Sequence, residues 1–230
     1  MQLDRPLASS YSAGVHAGNA ELVERRLGET VEGFGLAPAA VRWDRLGQLL
    51  ELWGRFGRAF NLSAAIDEAG LLVHVLEGLQ VVALARRIGC EDGERWVDVG
   101  SGAGFPGLVV AACLGVEVTL VEPRERRASF LDMALHQIGR ADCRVVRGHV
   151  GKGTWKGLRA ADRLEVGTYD WASARAVFGP EQWVAVGRGL VRATGVVIVH
   201  VRPESPELAG TVARVDGARW SVRGVRAGAG

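Results

Sequence analysis

The chain has 230 residues, which is enough for one well-packed domain with a small extension and too short for two large domains. Hydrophobic residues make up 48% of it and charged residues 23%, a composition that excludes an intrinsically disordered chain. The formal net charge of +2 does not by itself indicate a nucleic-acid or membrane partner, although the basic excess is confined to residues 95–230, which hold 19 basic and 13 acidic residues.

The three cysteines are widely spaced and form neither a CxxC pair nor a Cys-His cluster of metal-ligand spacing. They are Cys90, Cys113 and Cys143. A disulfide framework and a structural zinc are therefore disfavoured, and we expect no metal. The N-terminal residues do not have the pattern of a secretory leader, and no uninterrupted apolar run approaches about 20 residues. These features predict a reduced, cytoplasmic protein without a membrane partner.

The first 90 residues are predicted to be largely helical after a tail. Residues 1–18 lack apolar periodicity, so we expect a mobile tail there. After them, apolar residues recur three or four positions apart, as in amphipathic helices. The predicted helices cover about residues 19–32, a second helix opened by Pro38, residues 41–56 and residues 67–82. Residues 19–90 are thus predicted to form an N-terminal helical subdomain.

At Arg95 the pattern changes to short apolar runs separated by helical stretches. The predicted strands are 95–99, 117–121, 144–147, 169–172 and 195–201, and the predicted helices are 107–114, 124–138, 155–164 and 180–193. This alternation indicates βαβ units and a parallel sheet covered on both faces. Two last runs, 211–215 and 219–222, flank Asp216-Gly217, a turn signal for an antiparallel hairpin. The predicted fold class is therefore α/β, with a doubly wound, mostly parallel, Rossmann-like sheet.

The most informative segment is VDVGSGAGFPG at residues 97–107, where a strand leads into three alternating glycines and then into a helix. Glycine lets the main chain adopt conformations closed to other residues and lets a ligand approach it, and doubly wound folds bind ligands at the carboxyl ends of strands. The spacing is GxGxG rather than the GxGxxG of dinucleotide sites, and the Lys-Ser/Thr pair of a phosphate loop is missing. A purely structural tight turn could use the same glycines.

An acidic residue, Glu122, follows the next predicted strand about 20 residues after the glycines, where a carboxylate can accept hydrogen bonds from both hydroxyls of a ribose. Asp98, just before the loop, would lie near the amino group of the same ligand. Glycines with a ribose carboxylate and no pyrophosphate cradle are typical of the S-adenosylmethionine site of class I methyltransferases. A solvated glutamate at a strand end is the alternative for Glu122.

The segment DVGSGAGFPG resembles the DVGTGxGxPG loop of the RsmG family, also called GidB, the bacterial 16S rRNA guanine-N7 methyltransferases. Further segments are similar in the same order along the chain. They are RAFNLS at 58–63 (KxYNLT in the family), HVLE at 74–77 (HxxDS), RERRASFL at 124–131 (KRxxFL) and SARA at 173–176 ((S/A)RA). The resemblance spans about residues 40–201.

The resemblance implies that residues 91–230 form an S-adenosylmethionine-binding methyltransferase domain that modifies guanine N7 in small-subunit ribosomal RNA, free or in a ribosomal precursor particle. We expect a monomer. The glycine loop would hold the methionine part of the cofactor, Glu122 the ribose and residues 149–151 the adenine, and Arg175 is the candidate catalytic residue. The implied cofactor-binding residues are Asp98, Gly100, Ser101, Gly102, Gly104, Phe105, Glu122, His149, Val150, Gly151 and Arg175.

The chain departs from the family pattern in several places, with Gly151 in place of an acidic residue, Val201 in place of a lysine, and Gly57, Val73 and Gly78 in place of polar residues. Two other functions therefore stay open: a diverged class I methyltransferase acting on another RNA or a small molecule, and a non-catalytic, cofactor-binding interaction module. Guanine N7 has a lone pair at neutral pH, so its methylation needs alignment rather than a general base.

Two groups of polar residues have alternative interpretations. The basic residues between Arg124 and Arg163, with Trp155 among them, could contact RNA phosphates or form a solvated face. Arg175 could donate to guanine O6 or to a phosphate, or it could pair with acidic residues of the sheet. His74, one helical turn before Glu77, has the position of a satisfied core histidine.

Overall fold

The computed structural model describes residues 8–57, 67–151, 154–158 and 161–228. Its N-terminal part holds three helices, α1 (Ala8–Gly33), α2 (Trp43–Phe56) and α3 (Glu68–Ile88), with a short 3-10 turn at Pro38–Ala40. The helix start predicted at residue 19 is too late, because α1 begins at Ala8 within the predicted tail. The prediction relies on apolar periodicity, and the sequence of residues 8–18 has no such period.

In the described residues after α3, nine strands and three further helices follow. The strands are β1 (Arg95–Val99), β2 (Glu117–Val121), β3 (Arg144–Val146), β4 (Gly148–Gly151), β5 (Thr154–Gly157), β6 (Tyr169–Ala174), β7 (Val191–Val201), β8 (Thr211–Asp216) and β9 (Ser221–Arg226). The helices are α4 (Gly107–Cys113), α5 (Glu125–Gln137) and α6 (Pro180–Leu190). Most predicted elements agree with these bounds to within a few residues.

Seven strands form one sheet in the order β3-β2-β1-β6-β7-β9-β8. The pairs from β3 through β7 are parallel, and β9 is antiparallel to both β7 and β8. The strand order reverses between β1 and β6, which is the switch point where doubly wound folds bind ligands. The predicted fold class is confirmed, including the closing antiparallel hairpin whose strands flank Asp216-Gly217.

The central strands are apolar at consecutive positions and so present apolar side chains on both faces of the sheet. Helices therefore pack against both faces. Along β7, Val196 and Ile198 enter the core formed with the N-terminal helices, whereas Val197 and Val199 enter a second core formed with α6. Helix α3 would suffice by length and composition to cross a bilayer, yet 67% of its apolar stretch is buried inside the fold. It is placed as the core helix of a globular domain.

The predicted helix over residues 155–164 is wrong. Residues 148–151 and 154–157 instead form β4 and β5, an antiparallel hairpin separate from the main sheet. Gly157 weakens a helix over residues 155–164, and Gly148 suits a hairpin because the Trp155 ring covers it. The hairpin follows β3, at one edge of the main sheet.

Candidate active site

A cavity of about 370 Å³ opens at the carboxyl ends of β1, β2 and β6, at the switch point of the sheet. Its lining combines the glycine loop with residues that follow β2 and β6 and one residue of α3. The lining residues are His74, Gly100, Ser101, Gly102, Ala103, Phe105, Glu122, Pro123, Arg124, Arg127, Arg175, Ala176 and Val177. The structure thus brings the predicted loop, Glu122 and Arg175 together.

The loop conformation requires glycine at three positions, since Gly100, Gly102 and Gly104 have φ angles of 71°, 58° and 99°. A Cβ at position 100 would lie 2.4 Å from Val177 Cγ2, and one at position 104 would meet Leu108 at 2.3 Å. A Cβ at position 102 would have no atom closer than 3.7 Å. Gly100 and Gly104 therefore serve the tight turn, and Gly102 leaves open space beside the cavity.

Glu122 is not a solvated strand end, because only 3% of the residue is exposed. Its Oε2 accepts a hydrogen bond from the Gly102 amide and its Oε1 accepts one from the Arg124 amide, both at 2.9 Å. A carboxylate offers about four acceptor positions, so acceptor capacity remains on the cavity side. The carboxylate at the end of β2 thus holds the loop and is also available to a ligand.

Asp98 lies beneath the loop rather than in the cavity lining. Its Oδ1 accepts a hydrogen bond of 2.7 Å from Ser173 Oγ, which itself accepts one of 2.8 Å from Trp96 Nε1. Its Oδ2 has no hydrogen-bond partner within the described part of the chain. Burial raises the pKa of this carboxyl to about 6, against the opposing effect of the Ser173 hydrogen bond. Its contact with a ligand amino group stays a prediction.

Arg175 lines the cavity and is held from the side by helix α3. Its Nη1 donates to Glu77 Oε2 at 2.5 Å and lies 3.2 Å from His74 Nδ1. Burial would raise the pKa of the Glu77 carboxyl, but the His74 hydrogen bond and the Arg175 charge together hold that pKa below its ordinary value. The predicted ion pair of Arg175 exists, although its partner is on a helix and not in the sheet.

His74 is half-buried, lies 3.0 Å from Glu77 through Nδ1 and packs against the Phe105 ring with centroids 5.1 Å apart. It is thus a satisfied histidine, as the sequence indicates, but it also borders the cavity. Trp220, which was not predicted as a site residue, also belongs to this cluster, since its Nε1 donates to Glu77 Oε1 at 3.0 Å. The only sequence signal for this cluster was the spacing of His74 and Glu77.

The remaining predicted residues differ in where they lie relative to the cavity. His149, Val150 and Gly151 belong to β4 and do not line it, so their adenine role stays a prediction. Of the predicted RNA-contacting residues, Arg124 and Arg127 border the cavity. Lys152, Arg159 and the RAFNLS segment at 58–63 lie outside the described residues.

Within the described ranges, no group of three or more His, Cys, Asp or Glu side chains is arranged to hold a metal ion. The free cysteines Cys90, Cys113 and Cys143 are buried. Burial raises the pKa of the Cys90 thiol to about 12 and those of the Cys113 and Cys143 thiols to about 11. None of the three is therefore placed as a reactive thiolate.

A family model named GidB and described as rRNA small subunit methyltransferase G matches residues 42–209. The chain belongs to the GidB family. The matched region contains the glycine loop, Glu122, Glu77 and Arg175, whereas Trp220 lies beyond it.

Curated relatives agree with this membership. Ribosomal RNA small subunit methyltransferase G of Stenotrophomonas maltophilia (strain K279a) is 32% identical over 230 residues, covering 96% of this chain and 90% of the relative. The protein of the same name from Neisseria meningitidis serogroup C / serotype 2a is 33% identical over 128 residues, which is 55% of this chain. That match spans only 60% of the Neisseria protein.

Solved structures match the fold at low sequence identity. MtNAS in complex with MTA and tNA aligns with a TM-score of 0.51 and 16% identity, over 81% of this chain and 74% of that one. A point mutant of MtNAS in complex with S-adenosylmethionine aligns with a TM-score of 0.50 and 17% identity, over 77% and 72% of the two chains. Both comparisons concern the fold alone.

Proposed function

We propose that this GidB-family chain transfers a methyl group from S-adenosylmethionine to N7 of a guanine in small-subunit ribosomal RNA. The observation that carries the proposal is the convergence of the GxGxG loop and the buried Glu122 carboxylate on one cavity at the switch point of the sheet. The names of the family model and of the curated relatives support the ribosomal RNA substrate.

The residues around the cavity fit S-adenosylmethionine. A volume of about 370 Å³ is within the range of small-molecule sites. Gly102 leaves space for a ligand beside the main chain, and Glu122 has acceptor positions left for two ribose hydroxyls. When bound, S-adenosylmethionine supplies an electrophilic methyl group on a sulfonium. Glu122 would hold the ribose, and residues 100–105 the methionine part.

The chain's own contribution to the reaction is orientation. Because guanine N7 attacks with an in-plane lone pair, no side chain has to remove a proton first, and alignment alone accounts for a large share of such a barrier. Arg175 has one guanidinium nitrogen tied to Glu77 and borders the cavity, so its other N–H groups are available to guanine O6 or to a phosphate. We propose Arg175 as the catalytic residue in this sense.

Basic residues near the cavity mouth would attract the RNA. Arg124 and Arg127 border the cavity, and Lys156 lies on β5 of the small hairpin. Such residues contact phosphates and add affinity without reading the base sequence. We further propose that the protein acts in the cytoplasm as a monomer, on free ribosomal RNA or on a precursor particle.

The proposal is tested by single-turnover transfer of labelled methyl from S-adenosylmethionine to small-subunit RNA, followed by mapping of N7-methylguanine. Labelled RNA with the label at a guanine N7 is the expected result. Label in small molecules of a cell extract and none in RNA would overturn the ribosomal substrate and favour a diverged methyltransferase. Cofactor binding with no transfer to either would favour the non-catalytic module.

RNA affinity and turnover measured over a series of salt concentrations distinguish residues that attract RNA from residues that orient the target base. Replacing Lys152, Lys156 and Arg159 together should flatten the dependence of log affinity on log salt without changing the methylated base. Arg175→Ala should lower turnover strongly and leave the salt slope almost unchanged. A wild-type affinity for RNA that does not depend on salt would contradict the phosphate contacts.

A further inference from the structure

Glu77 is a buried carboxylate on which groups from separate parts of the fold converge. Its side chain is 8% exposed, and Oε2 accepts from Arg175 Nη1 at the end of β6. Oε1 accepts from Trp220 Nε1 and lies 3.8 Å from Arg219 Nε, both in the turn between β8 and β9. The Glu77 carboxylate on α3 therefore connects the carboxyl end of β6, beside the cavity, with the C-terminal hairpin.

The guanidinium of Arg175 depends on this carboxylate for its orientation. Among the described residues, its Nη1 donates to Glu77 Oε2 and lies 3.2 Å from His74 Nδ1, and its guanidinium carbon lies 5.6 Å from the centre of the Phe105 ring. An arginine that is four-fifths buried needs a paired carboxylate, because an uncompensated buried charge is strongly unfavourable. Since Trp220 holds the other carboxyl oxygen, Glu77 cannot turn away from Arg175 without losing a second hydrogen bond.

We infer that Glu77 is a positioning residue: anchored by Trp220, it fixes Arg175 so that the guanidinium's remaining N–H groups face the target base. The inference rests on the function proposed above for Arg175. It gives the N-terminal helical region and the C-terminal hairpin a part in the reaction, because each supplies one side of the support. Trp220 lies outside the region matched by the family model.

The same helix offers a matched control in Gln80, one turn after Glu77 and 2% exposed. Gln80 Nε2 donates to the carbonyls of Val215 at 2.7 Å and Trp220 at 2.8 Å. It therefore fastens α3 to the same hairpin without a contact to Arg175. A loss that came only from loosened packing between helix and hairpin would occur equally in Gln80→Met and in Glu77→Gln.

The first test compares single-turnover methyl transfer and RNA affinity for the two variants. Glu77→Gln keeps the size of the side chain and removes its charge, and misplacement of Arg175 should lower the rate constant by roughly 10–100-fold with little change in the dissociation constant for RNA. Gln80→Met should lower the melting temperature and keep the wild-type rate constant. Equal rate constants in both variants would overturn the inference.

A double-mutant cycle asks whether Glu77 acts through Arg175. If it does, Glu77→Gln should cause no further loss of rate when Arg175 has already been replaced by methionine, because the group that Glu77 orients is then absent. The same fractional loss in the wild-type and Arg175→Met backgrounds would mean that Glu77 acts by another route. Glu77→Asp, which keeps the charge, should recover part of the rate.

A spectroscopic test does not depend on methyl transfer. In 15N-labelled protein, the guanidinium signal that disappears in Arg175→Lys should show slow rotation about the Nε–Cζ bond. This restriction should be lost in Glu77→Gln and kept in Gln80→Met. An unchanged Arg175 signal in Glu77→Gln would overturn the inference even if the wild-type protein were active. Conversely, an inactive wild type with the expected signals would contradict the proposed function alone.

Discussion

Replacing Glu122 with glutamine is expected to weaken the binding of S-adenosylhomocysteine roughly 10–150-fold. The carboxylate now accepts two backbone hydrogen bonds, from Gly102 and Arg124, and has acceptor positions left for the ribose. Hydrogen bonds to a charged group contribute about 1.5–3 kcal/mol, and each 1.4 kcal/mol is a factor of ten in affinity.

The same substitution also acts on the loop. A glutamine has one acceptor oxygen, so its amide nitrogen would face one of the two backbone N–H groups, and that donor would lose its partner. An unsatisfied buried donor costs about 1–3 kcal/mol, and we expect the free energy of unfolding of Glu122→Gln to fall by about that amount. Affinity and stability must therefore be measured on the same variant.

Calorimetric titration with S-adenosylhomocysteine and with its 2′,3′-dideoxy analogue separates the two effects. The analogue should bind much more weakly than the parent compound to the wild type, and the two should bind almost equally to Glu122→Gln. Glu125→Gln is the matched control, since it removes the same charge from a side chain that is 76% exposed in the first turn of α5. Equal affinity for Glu122→Gln and Glu125→Gln would refute the assignment of the ribose to Glu122.

Three further predictions concern single side chains. Gly102→Val should abolish binding of S-adenosylmethionine in calorimetry, because a β-branched residue is strained at a φ of 58° and would distort the loop. The protein should still fold, because a Cβ at this position has no atom closer than 3.7 Å. Retained binding would contradict the role of the loop. Arg140→Met should lower the free energy of unfolding, measured in urea, by about 3–5 kcal/mol. The buried guanidinium donates to the carbonyls of Ala111, Leu114 and Val116 around the end of α4, and its loss also leaves Asp142 without its ion pair. A change below about 1 kcal/mol would contradict this prediction. Burial, aided by the charge of Arg175, lowers the pKa of His200 to about 4. The His200 imidazole therefore binds a proton less readily in the folded state than in the unfolded state. The stability that is present above pH 6.5 is lost as the pH falls towards 4. Between pH 7 and pH 5 that loss is about 2 kcal/mol, and urea titrations of His200→Leu should lack it; identical pH dependence in both proteins would contradict the assignment.

The sheet and the centre of the site were predictable because their signals are local. A short apolar strand that ends in GxGxG, and an acidic residue after the next strand, share one edge of a parallel sheet by topology alone. Glu122 and Arg175 follow parallel strands that flank β1, so the sequence order already placed them near the loop.

What the sequence did not predict depends on distant contacts or on competing local signals. The bond between Trp220 and Glu77 joins residues 143 positions apart, and nothing near either residue indicates the other. The helix predicted over residues 155–164 overlaps β5, whose strand pairing depends on β4 and on the packing of Trp155 against Gly148. The burial of Asp98 beside Gly107 is likewise a property of the folded chain, since a Cβ at position 107 would lie 2.7 Å from Asp98 Oδ2.

The end of β2 fixes both the glycine loop and the Glu122 carboxylate, which line the same cavity. The amides of Gly100 and Ser101 donate to the Val121 carbonyl at 2.9 and 3.0 Å, and the Gly102 amide donates to Glu122, the next residue. Three successive loop amides are therefore fixed to the strand that also presents the carboxylate. The loop and the carboxylate would therefore move together in any small shift of β2 against β1, and the distance between them is preorganised. A ligand that contacts both would lose little conformational entropy in ordering them.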